Sequence, residues 1–291
     1  MREFSYFEKE GLRPGCEPKM LVHEERAEQA VVLVHGLTDS PYFLTAIGES
    51  FFEELGYDVY LPLLQGHGLK EPRGMEGVTL AEWKKNVSWA VREASAGGRR
   101  VSVGGLSTGG VLSLQAASQN ARIKGEVYLF SAALDLMDKR GGFVGDLKER
   151  LLLLGIFDTL LERQKPLIGR NPFRYAHMDL DGAHELAKLI RETDALLDGF
   201  DRDYPFPKRI FAAHSEADTT ANLEGIEELE QVCVVGDFSL FRMEKAAEVA
   251  HASVVLKEPV CDPANGEELE KANPFFGEMM EELRRFVSER R

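Results

Sequence analysis

Short runs of apolar and β-branched residues alternate with longer segments of helical period along most of this 291-residue chain. The runs are too short for the helices of a globular domain, and their continuous apolar character is typical of strands buried on both faces of a sheet. They occupy residues 29–36, 58–64, 99–107, 126–133, 209–214 and 238–244. Strands that alternate with helices predict an α/β fold, in which helices cover both faces of a mainly parallel sheet.

The segments between these runs carry signals for the ends of helices. Pro41 can begin a helix that Gly56 ends, and Thr79 stands three residues before Glu82, which is the spacing of a capping box. The predicted helices cover 41–55, 79–93, 108–117, 182–197, 222–230 and 274–287.

The alternation stops between about Leu136 and Pro207, where no convincing strand is found. Five apolar residues in this stretch are spaced by three or four positions and therefore share one helix face. They are Leu147, Leu151, Leu154, Phe157 and Leu161. We expect a helical cap insertion at 137–207, between two parts of one sheet domain at 1–136 and 208–291.

The charge balance and the length of the apolar runs argue against two kinds of partner, nucleic acids and membranes. The chain has 35 lysines and arginines against 49 aspartates and glutamates, a formal net charge of −14. An acidic surface repels phosphate backbones, so we expect no nucleic-acid partner. No apolar run reaches the roughly 18 residues needed to cross a bilayer, which predicts no integral membrane association.

The cysteines and the first residues bear on the compartment. Cys16, Cys233 and Cys261 are odd in number and share no metal-ligand spacing, which favours reduced thiols over disulfides. The sequence MREFSYFEKEGLRPG lacks an apolar stretch followed by a small-residue cleavage site, so we expect no signal peptide. Together these features predict a cytoplasmic protein.

The sequence GLSTG at 105–109 has the form G-x-S-x-G and lies between a predicted strand and a predicted helix. When a strand turns sharply into a helix, the serine at the turn stands exposed at the end of the sheet. The helix N-terminus adds partial positive charge where an oxyanion would form. This setting favours Ser107 as a nucleophile; the alternative is a glycine-rich turn that happens to contain a serine.

A serine hydroxyl needs a base near neutral pH, and the base needs an acid that orients it. On this architecture the acid and then the histidine follow the serine in chain order, each beyond a later strand. His251 follows the strand at 238–244 and is the last of seven histidines. His184 lies in the insertion and His214 lies within or at the end of a strand, so both are weaker candidates.

Asp218 is the preferred acid, because it lies four residues past the strand at 209–214. Asp135 follows the strand at 126–133 and could also reach the site, and Glu216 is a third option. The alternative role for Asp218 is to cap the helix near Asn222.

The loop His35-Gly36-Leu37 follows the first predicted strand. Its Leu37 N–H can point to the same oxyanion as the Thr108 N–H, so both are candidate oxyanion-hole donors. His35 precedes the serine, which is the wrong order for the base, and is interpreted as a packed loop residue. The QGHG loop at 65–68 is given a structural role near the site.

These motifs resemble the α/β-hydrolase superfamily, and within it bacterial carboxylesterases and monoacylglycerol lipases. The matching sequences are HGLTDSP (35–41), QGHG (65–68), GGLSTGG (104–110), SEAD (215–218) and AHASV (250–254). The resemblance covers nearly the whole chain and is strongest from about 30 to 133. It implies an α/β-hydrolase fold, an acyl-serine intermediate, a two-amide oxyanion hole and a helical cap over the acyl site.

The leading hypothesis is therefore a serine hydrolase of small-molecule carboxylic esters that needs no metal or organic cofactor. If the leucine face of the insertion covers the Ser107 pocket, short-to-medium acyl chains are expected; alternatively, that face only attaches the insertion to the sheet. A thioesterase, an amidase or an aminopeptidase could use the same triad. An acidic residue of the cap that binds a free amine would favour the aminopeptidase, and Glu149, Glu162 or Glu185 could serve. A non-catalytic small-molecule binder is the remaining alternative. No sequence feature indicates an oligomeric state.

Overall fold

The computed structural model describes residues 11–25, 27–70, 74–134, 170–177 and 179–289. One sheet contains Lys19–Leu21 (β1), Gln29–Val34 (β2), Asp58–Leu61 (β3), Arg100–Leu106 (β4), Ile123–Phe130 (β5), Ile210–Ser215 (β6) and Phe238–Met243 (β7). The strand order is β1–β3–β2–β4–β5–β6–β7, and β1 is antiparallel to β3 while all other neighbours are parallel. The predicted mainly parallel sheet is confirmed.

The helices also follow the predicted positions. They are Thr45–Leu55 (α1), Leu80–Ala94 (α2), Thr108–Gln119 (α3), Leu180–Leu197 (α4), Leu223–Gln231 (α5) and Phe276–Ser288 (α6). Gly56 ends α1 in the left-handed conformation with φ of 70°, and the Thr79 side chain accepts a hydrogen bond from the Glu82 N–H at the start of α2. A short 3₁₀ turn at Pro41–Leu44 precedes α1, so Pro41 begins a tighter helix than predicted.

The apolar core lies on both faces of the sheet because successive side chains of a strand point to opposite sides. Along β2, Val31 and Leu33 pack with residues of α1 and α6 on one face. Val32 and Val34 pack with residues of α2 and α3 on the other. This double coverage explains why the strands are continuous apolar runs.

Three short strands were missed by the sequence interpretation. One is β1, whose three residues are only partly buried. The others, Val260–Cys261 (β8) and Glu268–Glu270 (β9), form a separate antiparallel hairpin. Two or three residues are too few to show a period in the sequence.

The described part of the insertion consists of residues 170–177 and 179–207, in which α4 is the principal element. Helix α4 packs against α2 and α3. The predicted leucine face at 147–161 lies outside the described residues. Among the helices that the structure describes, none is long and apolar enough to span a membrane.

Candidate active site

Ser107 occupies a strained turn between β4 and α3. Its φ of 53° and ψ of −119° lie in a region that residues with side chains rarely adopt. A side chain on Gly105 would collide with the backbone of Gly109, and one on Gly109 would overlap the carbonyl of Val34. The Ser107 N–H donates to the Phe130 carbonyl over 3.0 Å, which ties the turn to β5. The sharp strand-to-helix turn expected from the motif is present.

The structure brings His251 and Asp218 together. Nδ1 of His251 lies 2.6 Å from Oδ2 of Asp218, whose side chain is fully buried. The other oxygen, Oδ1, accepts hydrogen bonds from the amides of Thr220 at 2.8 Å and Ala221 at 3.0 Å. Ser107 follows β4, Asp218 follows β6 and His251 follows β7, so all three lie beyond the carboxyl ends of strands in one sheet.

The surroundings of Asp218 keep its carboxyl group ionised. Burial pushes the pKa of Asp218 upward, but the neighbouring His251 and the amides of Ala221 and Thr220 outweigh this, and the pKa is lowered. An ionised carboxylate accepts a hydrogen bond from the Nδ1–H of His251. That tautomer leaves Nε2 free to accept a proton.

His214 is a second imidazole close to the same carboxylate. Its Nε2 is 3.1 Å from the Ala221 carbonyl oxygen and 3.7 Å from Oδ2 of Asp218. The imidazole is completely buried, and burial lowers the pKa of His214 despite the nearby carboxylate. The ring is therefore neutral at pH 7 and supports the loop that carries Asp218.

The loop after β2 runs against Ser107. A methyl group on Gly36 would lie 3.4 Å from Cβ of Ser107, an ordinary van der Waals distance, so the backbone of this loop adjoins the serine. The same methyl group would overlap Oδ2 of Asp39, which is why residue 36 must be glycine. Among the described residues, no backbone carbonyl accepts a hydrogen bond from Leu37 N–H. Thr108 is the first residue of α3, where helical N–H groups have no partner within the helix. These are the two amides that the sequence singled out.

Two buried histidines hold this loop in place. Nε2 of His35 accepts the Leu64 N–H over 3.1 Å, and its Nδ1 lies 2.9 Å from the Gly36 carbonyl oxygen. Nε2 of His67 contacts the carbonyl oxygen of Leu37. Burial, and secondarily the neighbouring His67, places the pKa of His35 well below its usual range. His35 is thus a packed loop residue, in agreement with the sequence interpretation.

The other acidic candidates from the sequence analysis either form contacts of their own or lie outside the described residues. Glu216 accepts the Lys245 N–H and pairs with Arg242 at 3.3 Å. Glu185, a candidate for amine binding, accepts the Leu80 N–H at 2.8 Å and pairs with Lys188 at 2.6 Å. Asp135, Glu149 and Glu162 lie outside the described residues.

A buried ionic group next to the site was missed by sequence reasoning. Nε of Arg174 lies 2.9 Å from Oδ1 of Asp39, and its Nη1 lies 3.1 Å from Oε1 of Glu270. Nδ2 of Asn171 donates to the same Glu270 oxygen over 2.5 Å. We call these four residues the Arg174 cluster. They come from three distant parts of the chain and share no spacing motif, so only the fold reveals them.

Neither a metal site nor a disulfide is found within the described ranges. Within 11–134 and 170–289, apart from the gaps given above, no group of three histidine, cysteine or acidic side chains is arranged to hold a metal ion. Cys16, Cys233 and Cys261 are all unpaired.

Comparison with known sequences gives a family match and a similar lipase. The sequence profile of the alpha/beta hydrolase family matches residues 31–261. A thermostable monoacylglycerol lipase from Bacillus sp. (strain H-257) is 30% identical over 188 residues, which cover 63% of this chain and 69% of the lipase.

Solved structures give the same result for the fold. A structure from a study of the metagenome-derived lipolytic enzymes LipS and LipT superposes with a TM-score of 0.70 at 19% identity, covering 96% of this chain and 100% of the other. The monoacylglycerol lipase of Paleococcus ferrophilus gives a TM-score of 0.60 at 18% identity, covering 93% and 98%. At these identities the likeness concerns the fold.

Proposed function

This chain belongs to the alpha/beta hydrolase family, and from that premise we propose that it is a serine hydrolase of carboxylic esters. The observation that carries the proposal is the Nδ1–Oδ2 contact of 2.6 Å between His251 and Asp218. The two residues lie at the sheet edge where Ser107 stands in its strained turn. A binding protein has no need for a nucleophile, a base and a buried acid at one edge.

In the proposed mechanism Ser107 Oγ attacks the ester carbonyl carbon while Nε2 of His251 accepts the hydroxyl proton. Asp218 remains ionised and stabilises the imidazolium that forms. The tetrahedral intermediate collapses, the C–O bond to the alcohol breaks, and His251 returns the proton to the leaving alcohol. A water molecule then hydrolyses the acyl-serine by the same steps.

The proposed oxyanion hole consists of the N–H groups of Leu37 and Thr108. Both belong to backbone segments that adjoin Ser107, and Thr108 N–H lies at the positive end of α3. Backbone donors of this kind are already oriented before the reaction, so they stabilise the developing negative charge without reorganisation. No cofactor takes part in these steps.

The proposed substrates are small esters of short-to-medium acyl chains, including monoacylglycerols. The similarity to the Bacillus monoacylglycerol lipase supports this substrate class. We also propose that 137–207 forms a cap over the site, attached to the sheet domain made of 1–136 and 208–291. In its support, the N-terminal turn of α4 adjoins the loop after β2, which contains His35, Gly36 and Leu37 and which we call the Leu37 loop. A methyl group on Gly182 would lie 3.6 Å from Cδ1 of Leu37.

The test is a panel of p-nitrophenyl esters of rising chain length, assayed beside thioesters and aminoacyl anilides. We expect turnover of the esters, no turnover of the anilides, and labelling of Ser107 by a fluorophosphonate. Preferred turnover of thioesters or anilides would assign the same triad to a thioesterase, an amidase or an aminopeptidase. A protein that neither turns over an acyl substrate nor reacts with the fluorophosphonate would contradict the proposal.

A further inference from the structure

Asp39 brings a carboxylate close to Ser107. A methyl carbon placed on Gly36 would overlap Oδ2 of Asp39 and would lie 3.4 Å from Cβ of Ser107, so that oxygen lies within about 6 Å of the serine. Asp39 is only 5% exposed, and water therefore screens its charge poorly. The proposed reaction builds a second negative charge on the acyl oxygen in the same small volume.

Arg174 is the cation that faces this carboxylate. Its Nε lies 2.9 Å from Oδ1 of Asp39, but the N–H is not aligned with that oxygen, so the contact is primarily one of charge. Arg174 is itself 7% exposed. The pKa of Glu270, the second acid of the cluster, is raised by burial and by Asp39, against the lowering effect of Arg174 and His251. The cluster therefore holds two acids and one guanidinium next to the site.

The backbone around Arg174 is fixed to the Leu37 loop. The Tyr175 N–H donates to the Thr38 carbonyl over 2.9 Å, and Nη1 of Arg13 donates to the Arg174 carbonyl over 2.6 Å. The guanidinium also lies 4.4 Å above the ring of Phe43. These contacts hold the cation in one position, as an electrostatic role requires.

We propose that Arg174 is a positioning residue for the reaction, whose guanidinium neutralises Asp39 beside Ser107 and so permits negative charge to develop on the acyl oxygen. The inference rests on the proposed function. The ester in its ground state is neutral, whereas the tetrahedral intermediate is anionic. Removal of the guanidinium should therefore lower kcat and leave KM nearly unchanged.

Four variants test this proposal in the full-length protein with a p-nitrophenyl ester. Arg174→Gln removes the cation, Arg174→Lys retains a positive charge, and Arg174→Gln combined with Asp39→Asn removes both charges. The matched control is Arg99→Gln, because Arg99 pairs at 3.0 Å with the buried Asp58 at the start of β3, away from the site. Melting temperatures are measured for all four.

We expect Arg174→Gln to lower kcat by roughly 10- to 100-fold, the order given by unit charges about 6 Å apart in a protein interior. KM should change by less than about threefold. Arg174→Lys and the double variant should recover kcat to within about fivefold of wild type, and Arg99→Gln should retain the wild-type kcat. An unchanged kcat in Arg174→Gln, or a double variant as slow as the single one, would overturn the proposal.

If Arg174→Gln does not fold, the double variant decides alone, since replacing both partners of a buried pair costs less than removing one. A kcat within about fivefold of wild type then supports the proposal, and a loss of tenfold or more overturns it. The wild-type assay and the labelling of Ser107 are run beside the variants. Failure of those two controls would refute the proposed function, whereas failure of the variant pattern alone would refute only the role of Arg174.

Discussion

Ser107 combines an unfavourable backbone conformation with the proposed role of the nucleophile. Its positive φ is unfavourable for any residue with a side chain, and it is held by the close approach of Gly105 and Gly109 to their neighbours. Alanine has the same steric preference as serine at such a position. The hydroxyl group can therefore be removed without relieving or increasing the backbone strain.

We expect Ser107→Ala to abolish ester hydrolysis, with a loss of about 10⁶-fold in kcat, while the free energy of unfolding stays within about 1 kcal/mol of wild type. Ester turnover and urea unfolding provide the two measurements. Ser88→Ala, an exposed change on α2, is the control and should retain full activity. An active Ser107→Ala protein, or fluorophosphonate labelling at another residue, would refute the assignment of the nucleophile.

The proposed catalytic acid, Asp218, gives a second prediction about a single residue. Asp218→Asn preserves the oxygen that accepts the amides of Thr220 and Ala221, but it removes the charge that stabilises the imidazolium and favours the wrong tautomer of His251. We expect kcat to fall by about 10⁴-fold. Glu216→Gln, two residues away, is the matched control and should change kcat by only a few-fold. If Asp135→Asn is instead the inactive variant, the acid follows β5 and Asp218 has only its capping role.

At the scale of elements, the sequence predicts the sheet and the helix ends well because these follow from local chemistry. The run that becomes β2 is continuous and apolar from Ala30 to Val34, and the caps at Thr79 and Gly56 depend on neighbouring residues alone. The Arg174 cluster could not be predicted in this way. Its charges come from positions 39, 174 and 270, which only the tertiary fold brings together.

The insertion at 137–207 gives a prediction about the preferred length of the acyl chain. If the face containing Leu154 and Phe157 covers the acyl site, a polar side chain there should weaken binding of longer chains, since each buried methylene contributes about 0.8 kcal/mol. We expect Leu154→Ser and Phe157→Ser to shift the optimum of kcat/KM toward shorter esters, by several-fold per two carbons. Melting temperatures serve as the control. An unchanged chain-length profile in folded variants would assign this face to structure alone.

For the whole molecule, the buried histidines make stability depend on pH. Burial, the first cause in each case, lowers the pKa of His35, His67 and His214 from the ordinary value of 6.5. The unfolded chain binds protons at these sites at a pH where the folded chain does not. Their contribution to stability is therefore complete above about pH 6.5 and is lost as the pH falls below it.

We expect the free energy of unfolding to decrease between pH 7.5 and 5, with a slope approaching about 1.4 kcal/mol per pH unit for each buried histidine. Urea unfolding at several pH values measures this slope. His35→Gln, which keeps a donor and an acceptor, should reduce it, whereas the exposed His184→Gln should not. A wild-type slope that is flat across this range would show that the three rings are not kept neutral by the fold.

The order of the strands also predicts the order in which parts of the site form during synthesis. The first five strands are neighbours in the sheet and can pair as soon as β5 exists, yet Asp218 and His251 follow β6 and β7. The pairing of β5 with β6 must close a loop of about 80 residues, an entropic cost that grows only slowly with length but delays the contact. Nascent chains would thus present the serine turn well before they acquire the acid and the histidine. Acquisition of activity would accordingly report a late step of folding, after β6 and β7 have joined the sheet.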